Sequence, residues 1–170
     1  MKIETKRLII KELTMDMAFD IHKNSLDEDN RRFVPDEVFE TVESAEETIS
    51  FLMEQYENKS GPLVYAIIKK EDNRNIGYIQ VIPLENGEFE IGYHIAKEYT
   101  KNGYATEAVK AFLPAGCELV NISSILGICL KENVASCRVL EKCGFVETFD
   151  GLGEYQGKEN YISKYEWNKK

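Results

Sequence analysis

The chain has 170 residues, of which 43% are hydrophobic and 30% are charged, and its formal net charge is −9 at pH 7. This composition predicts one folded domain over residues 1–170 and excludes a disordered chain. The acidic balance argues against nucleic acid as the main partner and suits a cationic substrate such as an amine. No apolar run approaches the ~20 residues of a membrane span, and the N-terminus lacks a signal-peptide layout, so we expect a cytoplasmic protein without a membrane partner.

The cysteines and histidines show no metal-ligand spacing. The histidines lie far apart, and the cysteines form no CxxC pair. The residues concerned are His22, His94, Cys117, Cys129, Cys137 and Cys143. Zinc sites built from such residues need closely spaced ligands. We therefore expect no metal, and thiols that stay reduced.

The N-terminal part predicts a strand followed by a helix. Residues 5–11 have the pattern of a first strand. Thr14 is placed to cap a helix from Met15 to about Asn24. The polar stretch that follows contains Pro35 and predicts a loop with one helical turn.

A second helix and a hairpin are predicted next. Ser44 and Glu47 form a capping box that opens a helix to about Asn58, with Met53 on its buried face. Two strands joined by a polar turn follow, at Leu63–Ile68 and Ile76–Ile82.

The segment from Glu88 to Ala108 changes its period halfway. Its first half alternates as a strand does, with one apolar and one polar face. The apolar positions are Phe89, Ile91, Tyr93 and Ile95, and the other face contains Glu88, Glu90, Gly92 and His94. The second half repeats every four residues from Tyr104, which predicts a helix. Pro114 predicts a kink or break in that helix.

The C-terminal part predicts a strand, a helix and two further strands. The strand covers Ser124–Leu130, and Asn133 caps a helix over Val134–Lys142. The last two strands are predicted at Phe145–Phe149 and Asn160–Trp167, with Gly151, Gly153 and Gly157 in the link between them. The whole order predicts an α/β fold, with a mixed sheet and helices on both faces.

The turn between the long strand and its helix has Gly103 where the helix opens. The first N–H groups of a helix have no partner inside it, and the helix dipole is positive there. Glycine also lets the backbone come close to a ligand. Such an end can seat a phosphate, although it also serves as a plain connection.

The residues Gly103-Tyr-Ala-Thr-Glu-Ala resemble the acyl-CoA signature of the GNAT N-acetyltransferases, Arg/Gln-x-x-Gly-x-Gly/Ala. The resemblance implies acetyl-CoA as co-substrate, with its pyrophosphate on the backbone of this turn. The residues that bind it would be Lys101, Asn102, Gly103, Tyr104, Ala105 and Thr106. Thr100 stands where the family usually has Arg or Gln, so we expect a weaker side-chain contribution and retained binding.

A second segment, from Asn133 to Phe145, resembles the Asn-x-x-Ser-x-x-x-Leu-Glu-Lys-x-Gly-Phe pattern of the RimJ/RimL-like branch, which acetylates N-termini of ribosomal proteins. Residues 4–11 are similar to the start of the same branch. The order of the predicted elements matches the GNAT fold along essentially the whole chain. The resemblance therefore implies that fold, with a central mixed sheet flanked by helices.

The resemblance also implies how the rest of the acetyl donor is held. The backbone of Tyr93, His94 and Ile95 would meet the acetyl carbonyl, and the pantetheine arm would add to the strand edge. Asn133 would contact pantetheine while it also caps its helix.

Two side chains are candidates for catalysis. Glu90, close to the open position of Gly92, can serve as general base directly or through a water, although a structural ion pair or a solvated side chain is the alternative. Ser136 can hydrogen-bond the leaving sulfur, a role that falls to it because Leu140 occupies the usual place of a tyrosine acid. His94 lies on the same strand face as Glu90 and is either a base or a packing residue.

The predicted function is transfer of an acetyl group from acetyl-CoA to a primary amine by direct attack in a ternary complex. The acceptor is a protein N-terminal α-amine or a small amine such as a polyamine or aminoglycoside. Phe33, Val34, Phe39 and the acidic residues near them are candidates for the acceptor pocket, or else belong to a surface loop. The alternatives are a non-catalytic acyl-CoA-binding module and a phosphate-binding structural protein, and the chain could form a homodimer.

Overall fold

The computed structural model describes Met1–Lys170 and contains an eight-stranded mixed sheet with five α-helices. The strands are β1 (Lys2–Glu4), β2 (Leu8–Glu12), β3 (Leu63–Lys69), β4 (Arg74–Pro83), β5 (Phe89–Ile95), β6 (Ser124–Leu130), β7 (Val146–Tyr155) and β8 (Lys158–Asn168). The helices are α1 (Ala18–Ser25), α2 (Glu28–Phe33), α3 (Val42–Asn58), α4 (Tyr104–Leu119) and α5 (Val134–Lys142). The predicted fold class is confirmed.

The sheet opens at its centre. Its strand order is β1-β2-β3-β4-β5-β6-β8-β7, and every neighbouring pair is antiparallel except β5 and β6. These two parallel strands pair only at Glu90 and Leu126. Beyond that point the backbone N–H and C=O groups of β5 and β6 that face each other are not paired in a ladder. Such backbone groups need a different hydrogen-bond partner. The gap between β5 and β6 is therefore where a ligand can enter the sheet.

Apolar side chains pack on both faces of the sheet. On one face, α4 and α5 contribute Phe112 and Leu140, which are fully buried. On the other face, α1 and α3 contribute Ala18 and Ile49 to a smaller cluster. Six consecutive residues of β3 are buried, as expected for a central strand covered on both sides. The core thus fixes one helix layer on each face of the sheet, and the cleft opens within that sheet.

The predicted first strand at residues 5–11 is a hairpin of two strands instead. The Thr5 N–H donates to the Leu8 carbonyl at 2.9 Å, and the Leu8 N–H donates to the Thr5 hydroxyl at 2.9 Å. This local closure by a hydroxyl turns the chain where the apolar pattern predicts continuity. The following helix also begins later than predicted, because Met15–Met17 form a 3₁₀ turn and Thr14 makes no side-chain cap.

Helix α3 begins earlier than predicted. Thr41 is its N-cap, and the Thr41 hydroxyl accepts the Ser44 N–H at 3.1 Å. Thr41 and Ser44 form the capping box, so the predicted pair of Ser44 and Glu47 is wrong. The shift arises because both Thr41 and Ser44 can cap, and Thr41 has the extended backbone that an N-cap needs. Met53, predicted on the buried face, is 39% exposed.

Pro114 does not break α4, which continues to Leu119. The fixed φ of proline is compatible with a helix, but the residue removes one N–H donor and its ring crowds the carbonyl four residues earlier. Phe112, Leu113 and Cys117 are buried around it and hold the helix against the sheet. Tertiary packing therefore outweighs the local propensity.

The two C-terminal strands are longer than predicted. Gly151 and Gly153, expected in a link, lie within β7. The turn contains only Gln156 and Gly157, with φ values of 50° and 76°, as a tight two-residue hairpin requires. A Cβ at Gly153 would lie 2.5 Å from the Ile162 side chain. This glycine therefore serves the packing of the hairpin rather than its turn.

The four cysteines are free thiols. The sulfurs of Cys129 and Cys137 lie 2.7 Å apart, and burial raises the pKa of the Cys129 thiol. No group of His, Cys, Asp and Glu side chains is arranged to hold a metal ion. None of the helices combines the length and the apolar composition needed to cross a bilayer.

Candidate active site

The gap between β5 and β6 forms a cleft of about 660 Å³. All predicted site residues except Asn102 line it: Glu90, Tyr93, His94, Ile95, Lys101, Gly103, Tyr104, Ala105, Thr106, Asn133 and Ser136. The fold therefore collects residues from β5, from the start of α4 and from the start of α5. Their chemical roles stay predictions.

The turn before α4 presents a bare helix N-terminus to the cleft. Lys101 and Gly103 have φ values of 64° and 79°, and no side chain caps the helix. The side-chain amide of Asn102 donates to the carbonyls of Tyr99 at 3.1 Å and Thr100 at 3.0 Å. Asn102 thus shapes the turn instead of lining the cleft. The uncapped N–H groups at the start of α4 can bind an anion.

Arg7, close to the N-terminus in sequence, holds this turn through side-chain contacts. Its Nη1 donates to the Asn102 carbonyl at 2.8 Å, and its Nε donates to Glu107 Oε2 at 2.6 Å. The guanidinium also lies 4.4 Å from the centre of the Tyr104 ring. Burial alone would raise the pKa of Glu107, but hydrogen bonds from Thr5 and Arg7 lower it below its ordinary value. This clamp cannot be predicted from the sequence, because no local pattern links residues 100 apart.

Four basic side chains line the cleft. They belong to Lys97 and Lys101, which precede α4, and to Arg138 and Lys142 on α5. Arg138 and Lys142 are four residues apart, so they lie on one helix face. That spacing is a signal that the sequence analysis did not use. Together with the helix dipoles, these cations make this end of the cleft attractive to phosphate groups.

Asn133 and Tyr93 hold Ser136 in place. The Asn133 side-chain oxygen accepts the Ser136 N–H at 3.3 Å, which caps α5. The Tyr93 hydroxyl donates to the Ser136 carbonyl at 2.9 Å and lies 3.1 Å from the Ser136 hydroxyl. Burial raises the pKa of Tyr93, so its hydroxyl is neutral. Only a backbone role for Tyr93 is predicted from the sequence, and its hydroxyl contact with Ser136 is apparent only in the structure.

Leu140 cannot act as a general acid in place of a tyrosine, because its side chain has no proton to donate. Its side chain is 1% exposed and belongs to the core. A Cβ at Gly127 would lie 2.6 Å from it, which shows how closely the leucine packs on β6. Next to Leu140 the cleft instead contains the hydroxyl groups of Tyr93 and Ser136, which can donate hydrogen bonds.

Glu90 is a partly buried carboxyl group at the point where the sheet opens. Burial raises its pKa to about 7, while the backbone N–H of Ile128 and the charge of Lys164 act in the opposite direction. Ile128 lies on β6 beyond the single ladder pair of Glu90 and Leu126, so its N–H can act on the Glu90 side chain across the gap. A carboxyl group with a pKa near neutrality can exchange a proton at physiological pH.

The open position beside Gly92 is filled by a neighbouring side chain. A Cβ there would lie 2.8 Å from the Gln80 amide nitrogen. Gly92 lines the cleft, and the side chain of Gln80, its partner on β4, lies where a Cβ would be, so the missing side chain makes room for Gln80. Beyond Gln80 stands Glu37, whose pKa burial raises to about 7 although the Gln80 amide acts to lower it. The sequence analysis did not single out Glu37.

His94 sits against the acceptor side of the cleft. Its ring centre is 5.9 Å from that of Tyr78, and its Nε2 lies 4.0 Å from Asp27 Oδ2. Burial lowers the pKa of His94, while Asp27 and Asp29 act in the opposite direction. Neutral imidazole is thus the form at pH 7, and Nε2 has no hydrogen-bond partner.

The predicted acceptor residues divide between two cavities. Phe33 and Val34 line the cleft, whereas Phe39 lines a smaller cavity beside it. The acidic residues that line the cleft are Asp27, Asp29, Glu37, Glu90 and Glu154. Anionic side chains therefore mark the acceptor end of the cleft, in contrast to the basic end at the helix starts.

Comparison with known proteins agrees with this geometry. A family model described as acetyltransferase (GNAT) domain matches residues 7–146. The uncharacterized N-acetyltransferase YnaD of Bacillus subtilis (strain 168) is 31% identical over 147 residues, which cover 85% of this chain and 82% of that protein. The uncharacterized N-acetyltransferase YoaA of the same organism is 29% identical over 145 residues, which cover 84% and 81% respectively.

Solved structures resemble the whole chain. An acetyltransferase (GNAT family) from Bacillus anthracis superposes with a TM-score of 0.82 at 24% identity, covering 99% of this chain and 98% of that chain. RimL, a ribosomal L7/L12 α-N-protein acetyltransferase in complex with coenzyme A, gives a TM-score of 0.84 at 16% identity, with coverage of 99% and 98%. At these identities the likeness is one of fold.

Proposed function

The chain belongs to the GNAT family of acetyltransferases, and on that premise we propose that it transfers the acetyl group of acetyl-CoA to a primary amine. The amine attacks directly within a ternary complex, so no acyl-enzyme forms. One observation carries the proposal: the cleft at the parted strands brings the starts of α4 and α5 together with the partly buried carboxyl group of Glu90.

The basic end of the cleft suits coenzyme A. The N–H groups at the start of α4 would hold the pyrophosphate, with Lys101, Arg138 and Lys142 as countercharges. The β5 edge from Tyr93 to Ile95 would receive the pantetheine arm and the acetyl carbonyl. Because most of these contacts come from backbone, Thr100 at the usual Arg or Gln position leaves binding intact.

Glu90 is the proposed general base. An alkyl ammonium group must lose a proton before its nitrogen can attack a thioester carbon. Glu90, with a pKa of about 7, accepts that proton directly or through a water. The C–N bond then forms and the C–S bond breaks. The buried neutral His94 stays beside Tyr78 as a packing residue in this scheme.

Ser136 is the proposed donor to the departing sulfur. Its N–H is fixed by Asn133, and its hydroxyl is within reach of the Tyr93 hydroxyl. The Tyr93 hydroxyl donates its hydrogen bond to the Ser136 carbonyl. The Ser136 hydroxyl can therefore rotate and donate its own hydrogen bond to the sulfur. Tyr93 is thus a positioning residue. Together Tyr93 and Ser136 replace the tyrosine acid that is missing at position 140.

A thiol-release assay after a thermal shift tests the function. Acetyl-CoA at about 100 times its Kd should stabilise the protein by about 2.7 kcal/mol. Thiol release with peptides, polyamines and aminoglycosides then identifies the acceptor. Stabilisation without release on any acceptor would favour a non-catalytic acyl-CoA-binding module, and no stabilisation would contradict acyl-CoA binding altogether.

Ser136→Ala separates the enzyme from the binding module. We expect it to lower kcat by about 10- to 100-fold, as loss of one transition-state hydrogen bond does, while acetyl-CoA affinity stays within a few-fold. Ser50→Ala is the matched control, because Ser50 is exposed on α3. A kcat for Ser136→Ala equal to that of the control would remove Ser136 from the mechanism. The cytoplasmic location and the homodimer stay predictions of the sequence.

A further inference from the structure

A second cavity, of about 240 Å³, lies beside the cleft and under α1 and α3. We call it the α1–α3 chamber. Ile21 of α1 and Thr48 and Ile49 of α3 contribute to its walls. Four residues line both the chamber and the cleft: Glu37, Tyr78, Gln80 and His94. The chamber therefore meets the cleft at the acceptor end.

The chamber contains polar atoms that nothing in the protein satisfies. Three buried side-chain atoms of the whole protein lack a hydrogen-bond partner: Asn30 Oδ1, Glu37 Oε2 and His94 Nε2. All three residues line the chamber. Asn30 is 1% exposed, and its amide nitrogen is already used on the Glu37 carbonyl at 3.1 Å. An unsatisfied buried polar atom costs about 1–3 kcal/mol, so these atoms indicate a ligand that supplies donors.

The electrostatics of the chamber favour a cation. Asp36 and Glu37 are the charged residues among those that line it, and no Lys or Arg does so. Asn30 and Glu37 both present free oxygen acceptors there. An ammonium group has three N–H donors and no acceptor, which matches this set. The apolar remainder of the wall suits an alkyl chain.

The volume limits the size of the occupant. One water takes about 30 Å³ of the liquid, so the chamber holds on the order of eight waters. A short alkyl chain that ends in an ammonium group is of this size, whereas a folded peptide segment is not. A carboxylate or phosphate of any size would meet the like charges of Asp36 and Glu37.

We propose that the α1–α3 chamber is a subsite for a second ammonium group of the acceptor, so that the enzyme acetylates one end of a short alkyl diamine. This inference rests on the acetyl transfer proposed above and names its substrate class. The reacting amine lies in the cleft near Glu90, while the far ammonium group binds between Glu37 and Asn30. Glu37 is then a specificity-determining residue and not the base.

The pKa of Glu37, raised to about 7 by burial, fits this role. The charged and titratable groups around it are Asp36, Tyr155 and His94, and none of them is a cation at pH 7. A bound ammonium group would stabilise the carboxylate and expel the proton. Diamine binding near pH 7 should therefore release a proton that monoamine binding does not release.

The test compares diaminobutane with butylamine as acceptors in the thiol-release assay. We expect the wild-type kcat/KM to favour the diamine by about tenfold or more, as a partly buried charge-assisted contact provides. Glu37→Gln keeps the shape and should bring the ratio close to one, because it lowers kcat/KM for diaminobutane far more than kcat/KM for butylamine. Glu46→Gln, on the exposed face of α3, is the matched control.

A second variant tests the volume of the chamber instead of its charge. Thr48→Leu narrows the chamber and should lower the preference for the diamine over butylamine, whereas Thr48→Ser keeps the space and the preference. Calorimetry in two buffers of different ionisation enthalpy, with coenzyme A present, should record more proton release on binding diaminobutane than on binding butylamine in the wild type, and equal release for the two amines in Glu37→Gln. This readout does not depend on turnover.

Equal reaction of diaminobutane and butylamine in the wild type would overturn the subsite while leaving acetyl transfer intact. An equal loss on both amines in Glu37→Gln would also overturn it, since Glu37 would then act on the reacting amine or on the fold. Faster reaction of peptides than of any diamine, insensitive to Thr48→Leu, would overturn it in favour of an N-terminal α-amine. Absence of thiol release on every acceptor would instead contradict the proposed function itself.

Discussion

The two ends of the cleft are built in different ways. The donor end consists of two helix starts, shaped by Gly103 and Asn133, and presents backbone N–H groups with basic side chains around them. The acceptor end consists of partly buried side chains from separate elements, among them Glu37, Glu90 and His94, and is acidic. Backbone recognition tolerates substitution, whereas side-chain recognition does not. Changes at the acceptor end should therefore alter rate and selectivity. Changes at the donor end should mainly alter affinity, except at Ser136, whose hydroxyl is the proposed donor to the sulfur.

The largest effect is expected from Glu90→Gln. The amide keeps the size of the side chain but cannot accept a proton, so kcat/KM at pH 7 should fall by about 10²- to 10⁴-fold. Acetyl-CoA affinity, measured by thermal shift, should remain near that of the wild type. Glu54→Gln, on the exposed side of α3, controls for loss of one negative charge. A loss below tenfold would show that the two ends differ less than we infer.

The stability of the free protein should depend on the acceptor-end carboxyls. Burial raises the pKa of Glu37 and Glu90 from 4.5 to about 7, so the folded state binds more protons than the unfolded state between these values. The stabilisation is complete below about pH 4.5 and is lost as the pH rises through 7, by about 3 kcal/mol for each carboxyl. His94, whose pKa is lowered by burial, opposes the trend below its ordinary value of 6.5.

Urea unfolding at pH 5.5 and pH 8 measures this dependence. The free energy of unfolding should fall with pH in the wild type and fall much less in the Glu37→Gln, Glu90→Gln double variant. The difference between the two proteins removes the contribution of His94. Parallel pH dependences for the two proteins would mean that neither carboxyl is protonated on folding.

A smaller effect is expected from the donor-end clamp. Arg7→Met removes two hydrogen bonds, to the Asn102 carbonyl and to Glu107, and should cost about 1–3 kcal/mol of stability. Acetyl-CoA affinity should fall by a few-fold, because the turn loses its anchor. Arg31→Met is the matched control: Arg31 pairs with Glu40 on the surface, where such a pair contributes about 0–1 kcal/mol. Equal losses in the two variants would show that the clamp does not hold the turn.

The contrast between the two ends also explains what the sequence could predict. The turn at Gly103 and the cap at Asn133 are short-range signals, so both were readable from neighbouring residues. Strand β6 and helix α5 agree with their predicted limits for the same reason. Glu90 was readable because strand alternation separates its face from that of Phe89.

Other parts of the site depend on contacts that a sequence does not display. Arg7 and Glu107 meet only when β2 packs beside α4. The space at Gly92 is taken by Gln80, a cross-strand neighbour whose direction no pattern records. Glu37 lies in a polar stretch with the composition of a surface loop, yet the fold buries its carboxylate oxygen. Side-chain burial by distant segments is thus what periodicity leaves undetermined.

The pH profile of kcat/KM for wild type and Glu90→Gln, with butylamine as acceptor, tests the central claim most directly. If Glu90 deprotonates the bound ammonium group, the wild-type value should rise about tenfold per pH unit to a pH near 7 and then level off. The variant should lack this plateau and keep rising toward the pKa of the free amine, close to the ~10.4 of a lysine side chain. Identical profiles for the two proteins would contradict a general-base role for Glu90.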